Sequence, residues 1–219
     1  MTRVLLVRHG QSEWNADGRW QGQADPALTD LGRHQALHAS RTLGVVDAIV
    51  SSDLQRAAET AAIIASELGV GPLVLDVDLR ERHAGEWQGL TRADIERDWP
   101  GYLGPPAPIE GSAEHRAAGG VTQEAGPRRR PPGWEADDDL LERAVRALQR
   151  IHGLALGGEA IAVTHGGLVY ALEASLGAPF VRLPNLGGRW VDVGPEGPTR
   201  LGERVVLVDP DELTVPQQL

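Results

Sequence analysis

The alternation of short apolar runs with helix-like segments is the feature that most limits how this chain can fold. The first run, Val4–Val7, is bounded by arginines and is typical of a buried strand. Similar runs at positions 48–51, 73–77 and 160–164 predict three more strands. The helices are predicted over positions 29–43, 52–68, 91–99, 137–152 and 166–176, with Thr29 as the first N-cap and Ser52 and Gln55 at the spacing of a capping box.

Strands and helices that alternate along a chain build a mostly parallel sheet, because each crossover returns the chain to the same end of the sheet. We therefore predict an α/β fold, a three-layer αβα sandwich with a mostly parallel central sheet and helices on both faces. Residues Trp190–Val193 and Arg204–Val208 are predicted to close the sheet as a hairpin or as edge strands. A chain of 219 residues fits one domain over positions 1–219.

The segment from Pro100 to Gly133 departs from this alternation, since glycine and proline recur throughout it. A stretch of this length without helix or strand patterns is usually a lid, a binding loop or a disordered segment, so we interpret it as an insertion in the domain. Its three consecutive arginines, Arg128–Arg130, are either a substrate clamp or a solvated run of charge.

The charge balance limits the class of partner. The chain has 21 Lys and Arg against 31 Asp and Glu, a net charge of −10, whereas nucleic acids and anionic membranes call for a basic face. We therefore expect neither as a partner. There is no cysteine, no signal-peptide pattern after Met1 and no run near the roughly 20 apolar residues of a membrane span. A cytoplasmic protein is expected, with its oligomeric state, for example a homodimer, left open.

Two histidines directly follow predicted strands. His9 comes after the first strand, and His165 comes after the strand at positions 160–164. Because ligands of open α/β sheets bind beyond the carboxyl ends of the strands, both imidazoles are expected in one crevice. Gly166, which follows His165, lets the backbone approach a ligand closely.

Three charged residues are expected at the same rim. Arg8 precedes His9, Arg56 lies near the start of the helix after the second strand, and Glu81 follows the third strand. Arginine forks match the charged oxygens of a phosphoryl group, and a neutral imidazole can attack phosphorus to form a phosphohistidine. The set therefore predicts phosphoryl transfer, with His9 as nucleophile and Glu81 as the general acid for the leaving alkoxide.

The joint pattern resembles the histidine phosphatase superfamily, the phosphoglycerate-mutase-like proteins. The segments that carry it occur in the family's order from Val4 to Leu176, apart from the insertion. They are LVRHGQSEWN at 6–15, RWQGQ at 19–23, LTDLG at 28–32, SSDLQRAAETA at 51–61, LRE at 79–81 with GEWQGL at 85–90, and VTHGG at 163–167.

The resemblance implies His9 as the phosphorylated nucleophile, Arg8, Arg56 and His165 as the phosphate pocket, and Glu81 as proton donor. It also implies that three further residues line the pocket or contact substrate. These are Asn15, Gln21 and Gly22. Neither a metal nor another cofactor is expected.

Two positions favour the phosphatase branch of the family. Cofactor-dependent mutases typically carry Asn where this chain has Gly167, and Tyr where it has Ala84. The resemblance therefore implies hydrolysis of a small phosphomonoester, either a sugar phosphate or a phosphoglycerate-type ester. The alternatives are a cofactor-dependent phosphoglycerate mutase and a non-catalytic protein that binds a phospho-ligand.

Two other segments depart from recognisable motifs. Pro131–Glu135 stands where relatives tend to have a Gly-Gly-Glu-Ser-like turn, so a substrate contact there has no support from the sequence. His34 and His38 have helical spacing, but the segment lacks the metalloprotease glutamate, and we interpret both as surface residues.

Overall fold

A computed structural model describes residues 1–103 and 129–215. Within them, one six-stranded sheet has the order β3-β2-β4-β1-β5-β6. Strands β1 to β4 run parallel to one another, and β5 and β6 add an antiparallel hairpin beside β1. The strands are β1 Thr2–Arg8, β2 Ala48–Ser51, β3 Val74–Leu75, β4 Glu159–Thr164, β5 Gly187–Gly194 and β6 Gly197–Val206.

Helices cover both faces of this sheet. Helices α2 and α3 contribute to one buried cluster, and α5 and α6 contribute to the cluster on the opposite face. The described helices are α1 Glu13–Ala16, α2 Asp30–Thr42, α3 Gln55–Leu68, α4 Arg92–Asp98, α5 Asp137–Ala155 and α6 Gly166–Ser175, with 3-10 turns at Val77–Leu79, Gly85–Trp87 and Pro210–Glu212. The predicted three-layer sandwich and the closing hairpin are confirmed.

Burial on both faces of the sheet explains why the central run of β1, Val4–Val7, is continuously apolar. Successive side chains of a strand point to opposite faces, and here Val4 and Leu6 pack into the α5–α6 cluster while Leu5 and Val7 pack into the α2–α3 cluster. All four are almost fully buried. A strand segment between two helical layers has no solvent face, so no polar residue interrupts the run Val4–Val7.

Two local predictions were wrong. The strand predicted over 73–77 is only two residues long, because the Asp76 side chain accepts a hydrogen bond from the Asp78 amide and begins a 3-10 turn. The capping box of Ser52 and Gln55 is absent, since the N-cap of α3 is Leu54, which makes no side-chain cap. The Ser52 hydroxyl instead lies 2.9 Å from Nε2 of His165.

The insertion predicted over 100–133 falls mostly on positions 104–128, outside the described residues, as does Arg128. At its carboxyl end, Arg129 stacks over Tyr102 and Arg130 stacks over Trp134, at 5.8 Å and 4.5 Å from the ring centres. The single domain stays a prediction. Within the two described ranges, no helix is both long and apolar enough to cross a membrane.

Candidate active site

His9 directly follows the carboxyl end of β1, next to the carboxyl end of the parallel neighbouring strand β4. Its main-chain N–H donates to the Thr164 carbonyl at the end of β4, with an N–O distance of 3.1 Å. Its ring Nδ1 lies 2.7 Å from the Gly10 carbonyl oxygen. A carbonyl can only accept, so Nδ1 carries the proton of the neutral ring and Nε2 carries the lone pair. Nε2 accepts a hydrogen bond from Nε of Arg56 at 3.2 Å.

His165 lies beside His9, as the N-cap of α6 directly after β4. The two ring centres are 5.1 Å apart, and the rings are inclined by 61°. Nε2 of His165 contacts the Ser52 hydroxyl, whereas its buried Nδ1 has no hydrogen-bond partner among the described residues. The topology predicted from the sequence thus brings both imidazoles into one crevice.

Both imidazoles are held in the neutral form. Burial, and then the positive charges of Arg56 and Arg8, lower the pKa of His9 well below its ordinary value of 6.5. Burial, and then Arg56, lower the pKa of His165 in the same way. Since a neutral imidazole is the nucleophilic form, the environment of His9 favours attack through Nε2 at neutral pH.

The two arginines are held by main-chain carbonyls. Arg56, fully buried in the first turn of α3, donates to the carbonyls of Gly22 and Ala24 at 2.9 and 2.8 Å. Burial lowers its pKa to about 10, so it stays cationic at pH 7. Arg8 donates from Nη1 to the Leu183 carbonyl at 2.7 Å. Gly22, predicted to contact substrate, therefore also orients a cation.

Glu81 faces this pair of cations from the loop after β3. Its Oε1 accepts from the Arg82 amide at 2.7 Å, and its Oε2 accepts from the Gly167 amide at 3.1 Å. Its main-chain carbonyl accepts from Arg143, which is paired with Glu135 at 2.7 Å. Glu135, in the segment without a recognisable motif, thus anchors the Glu81 loop through Arg143.

A cavity of about 450 Å³ joins these residues to the predicted substrate contacts. The four predicted substrate contacts, Asn15, Gln21, Gly22 and Gly166, line it together with four of the predicted catalytic residues, Arg8, His9, Arg56 and Glu81. Three buried nitrogens without a hydrogen-bond partner in the described chain belong to this group of residues: Arg8 Nε, Asn15 Nδ2 and His165 Nδ1. Buried polar groups are normally satisfied, and an oxyanion offers the acceptor oxygens that donors of this kind need.

Apart from the predicted catalytic and substrate-binding residues, the cavity lining includes apolar and aromatic side chains, which we call the outer compartment: Trp20, Trp134, Leu141, Ala171, Ala174 and Phe180. The charged residues Arg130, Asp137 and Asp138 line the cavity as well. Arg82 also lines it, but its charge is paired with Asp137 at 2.6 Å. This part of the cavity has the character of a compartment for the alcohol half of a phosphate ester.

Two residues that support the site were missed by sequence reasoning. Ser52 follows β2 at the same sheet edge as His9 and His165, and that position could have indicated a site residue rather than a helix cap. Asn185, fully buried, donates to the His9 carbonyl at 2.9 Å. It belongs to no local pattern, and only the packing of the loop before β5 brings it there.

The histidine pair on α2 lies away from the cavity. Nδ1 of His34 is 2.8 Å from Oε1 of Glu212, and Nδ1 of His38 is 3.4 Å from Oε2. His34 is exposed, whereas His38 is only partly so. In residues 1–103 and 129–215, no group of three or more His, Cys, Asp or Glu side chains is arranged to hold a metal ion.

Comparison with known proteins agrees with this geometry. The chain is 37% identical to the glucosyl-3-phosphoglycerate phosphatase of Mycolicibacterium vanbaalenii over 85% of this chain and 79% of that protein. It is 35% identical to the metal-independent phosphoserine phosphatase of Arabidopsis thaliana, over 78% of this chain and 67% of that protein. The structure of a mycobacterial glucosyl-3-phosphoglycerate phosphatase complexed with VO3 superposes with a TM-score of 0.72 at 31% identity, covering 92% and 97% of the two chains.

The match to a family model extends over most of the chain. The model described as histidine phosphatase superfamily (branch 1) matches residues 4–189. This range includes every residue named above as lining the cavity. This protein belongs to the histidine phosphatase superfamily.

Proposed function

We propose that this protein is a metal-independent phosphomonoesterase that hydrolyses a small phosphate ester, a sugar phosphate or phosphoglycerate-type ester, through a phosphohistidine on His9. The observation that carries the proposal is the neutral Nε2 of His9 facing the Arg56 guanidinium in a buried pocket. Arg8, Arg56 and His165 are assigned to the phosphoryl oxygens, and Asn15, Gln21, Gly22 and Gly166 to the substrate. The phosphatase names of two relatives support hydrolysis.

The reaction has two steps on these residues. In the first, Nε2 of His9 forms a bond to phosphorus while the bond from phosphorus to the alcohol oxygen breaks, and Glu81 gives that oxygen a proton. In the second, the Glu81 carboxylate takes a proton from water, the water oxygen bonds to phosphorus, and the bond to Nε2 breaks to release inorganic phosphate. The fixed cations Arg8 and Arg56 stabilise the charge on the phosphoryl oxygens in both steps.

The surroundings of two small residues favour the phosphatase over the mutase alternative. A Cβ at Gly167 would fall on the Glu81 carboxylate, 3.1 Å from its carbon, so an Asn there would displace the proposed proton donor. Ala84 is buried against Gly22, and a Tyr in its place would need the Gly22 loop to move.

The proposal is tested by phosphate release from an aryl phosphate in the presence of a chelator. His9→Ala should abolish release, whereas the exposed His34→Ala is the matched histidine control and should leave it unchanged. Undiminished turnover by His9→Ala would contradict the mechanism. Transfer between hydroxyls of phosphoglycerate, primed by a bisphosphate, would indicate the mutase instead, and tight phosphate binding without turnover would indicate the binding protein.

We extend the proposal to the cellular setting of the protein. Its net charge of −10 argues against nucleic acid and anionic membranes as partners and is compatible with a cytoplasmic enzyme.

A homodimer is proposed at the edge of the sheet, where Val74, Leu75 and Val77 expose apolar side chains near Leu154. Sedimentation of Leu75→Lys against the unchanged protein tests it, since a protein that is monomeric before the change would contradict the dimer.

A further inference from the structure

We propose that Asn185 is a positioning residue that turns the side-chain NH2 group of Asn15 toward the phosphate pocket, and that Thr214 and Gln35 set the orientation of Asn185. The inference rests on the proposed function, because it takes a phosphoryl oxygen as the acceptor for Asn15. Asn185 lies in the loop between α6 and β5 and is fully buried. Asn185, Thr214 and Gln35 all lie outside the motifs recognised in the sequence.

The amide of Asn15 is held by its oxygen. Oδ1 accepts one hydrogen bond from the Ser12 main-chain N–H at 3.3 Å and a second from Nδ2 of Asn185 at 3.2 Å. With both donors on the oxygen side, the NH2 group points the other way. Nδ2 of Asn15 is buried without a partner among the described residues, and Asn15 lines the cavity.

The amide of Asn185 has only one favourable orientation. Its Nδ2 donates to the main-chain carbonyl of His9 at 2.9 Å, and its Oδ1 accepts from the Thr214 hydroxyl at 2.9 Å. Turning the amide by half a rotation would place its oxygen against the carbonyl of His9 and the Oδ1 of Asn15, and neither can donate. The main-chain N–H of Asn185 also donates to the Thr214 carbonyl at 2.9 Å.

Gln35 determines where the hydroxyl hydrogen of Thr214 goes. Oε1 of Gln35 accepts from the Gln11 main-chain N–H at 2.9 Å, so its NH2 group faces the carboxyl-terminal segment. That group donates to the Glu212 carbonyl at 2.7 Å and to the Thr214 hydroxyl at 3.0 Å. Because the hydroxyl oxygen already accepts from Gln35, its single hydrogen is available for Asn185.

These hydrogen bonds form a relay that runs from Gln35 through Thr214 and Asn185 to Asn15 and delivers one oriented donor beside His9. Main-chain groups at both ends of the relay therefore set the direction of each of its hydrogen bonds. A donor held in place before substrate arrives needs no reorganisation on binding. The same Asn185 NH2 group holds the His9 carbonyl, so nucleophile and donor share one support.

Asn185→Asp tests the relay, because a carboxylate of the same shape has no hydrogen to give to Asn15. The Asn15 amide should then turn its NH2 group toward the carboxylate and away from the pocket. The inhibition constant of inorganic phosphate should rise between about 10-fold and 100-fold, as for the loss of one hydrogen bond to a charged group. Asn15→Ala should produce a similar rise, and the double variant should exceed Asn15→Ala by no more than about twofold, since both changes remove the same donor.

Thr214→Val removes the orienting hydroxyl without adding charge, and therefore separates amide orientation from a direct effect of the new carboxylate. We expect a rise of about 2-fold to 10-fold in the same constant, which disappears when Asn15 is already alanine. Thr199→Val removes an exposed hydroxyl in the β5–β6 hairpin and should change nothing. Melting temperatures identify any variant that fails to fold, and Thr214→Val carries the test if Asn185→Asp is one of them.

Two results would overturn the inference: an unchanged inhibition constant in Thr214→Val, or effects of Thr214→Val and Asn15→Ala that multiply in the double variant. Phosphate release that still depends on His9 would then show that the relay alone is wrong. Loss of the proposed function itself is recognised separately, by turnover that does not depend on His9.

Discussion

Gly167→Ala should impair proton donation by Glu81 while leaving the fold intact. A Cβ at this position would overlap Oε1 of Glu81 and lie 3.1 Å from its carboxyl carbon, against the 3.5–4.0 Å at which carbon atoms normally pack, so the carboxyl group must retreat by at least about 0.4–0.9 Å. The carboxyl group cannot move aside by a simple rotation, because its Oε1 accepts a hydrogen bond from the Arg82 amide at 2.7 Å. The contact is with the end of a flexible side chain, so the cost falls on the placement of Glu81 rather than on the core.

The expected loss depends on how much the leaving group needs a proton. General acid catalysis contributes about 10²- to 10⁴-fold, and a misplacement near 1 Å can cost about 10²-fold. For an alkyl phosphate, whose alkoxide leaves poorly, we expect kcat/KM of Gly167→Ala to fall about 100-fold. For a nitrophenyl phosphate, whose phenolate leaves without help, the fall should be below about 10-fold.

Gly153→Ala is the matched control for this experiment. Gly153 lies in α5, and a Cβ there would meet nothing within 4 Å. This variant should keep full activity on both esters and gain about 1 kcal/mol in the free energy of unfolding from helix propensity. Equal losses on the two esters by Gly167→Ala would refute the reasoning, because they would mean that the substitution acts on something other than proton transfer.

Two further predictions concern the histidines and the outer cavity. Because burial and nearby arginines lower the pKa of His9 and His165 well below 6.5, the unfolded chain binds more protons than the folded one below that pH. The free energy of unfolding in urea should therefore fall as the pH drops below 6.5, by up to about 1.4 kcal/mol per pH unit for each histidine, and a flat profile from pH 5 to 7 would contradict the burial argument. Ala174→Trp should fill the outer compartment and lower kcat/KM for a bulky sugar phosphate about tenfold relative to a small alkyl phosphate, whereas Ala62→Trp on the exposed face of α3 should leave the ratio unchanged.

Local patterns were sufficient to predict the elements near the centre of the sheet. The run Val4–Val7 predicts a buried strand and lies in β1, and Thr29, the predicted N-cap, does cap α2 by accepting from the Gly32 amide. Patterns were weaker at the edge, where β3 covers only Val74–Leu75, because a short edge strand is set by competition with the turn that follows it.

The residues proposed for chemistry could be found because they sit in dense local motifs at strand ends. The carboxyl ends of parallel strands meet at one edge of the sheet, so the order of strands and loops already implied that His9, His165, Arg56 and Glu81 would converge. Their roles stay proposals. The orientation of each group, such as the Nε2 of His9 toward Arg56, depends on hydrogen bonds that no spacing encodes.

The supporting residues could be found only in three dimensions. Asn185 reaches the His9 carbonyl from 176 positions away along the chain, and Thr214 contacts Asn185 from 29 positions further on. Glu135 acts on the Glu81 loop through Arg143. The sequence by itself determined the αβα layering and the set of side chains at one sheet edge, because strand and helix periodicity are local properties. Only the tertiary structure decided which nitrogen of His9 carries the lone pair and which amide faces the pocket, because those depend on partners that folding brings together.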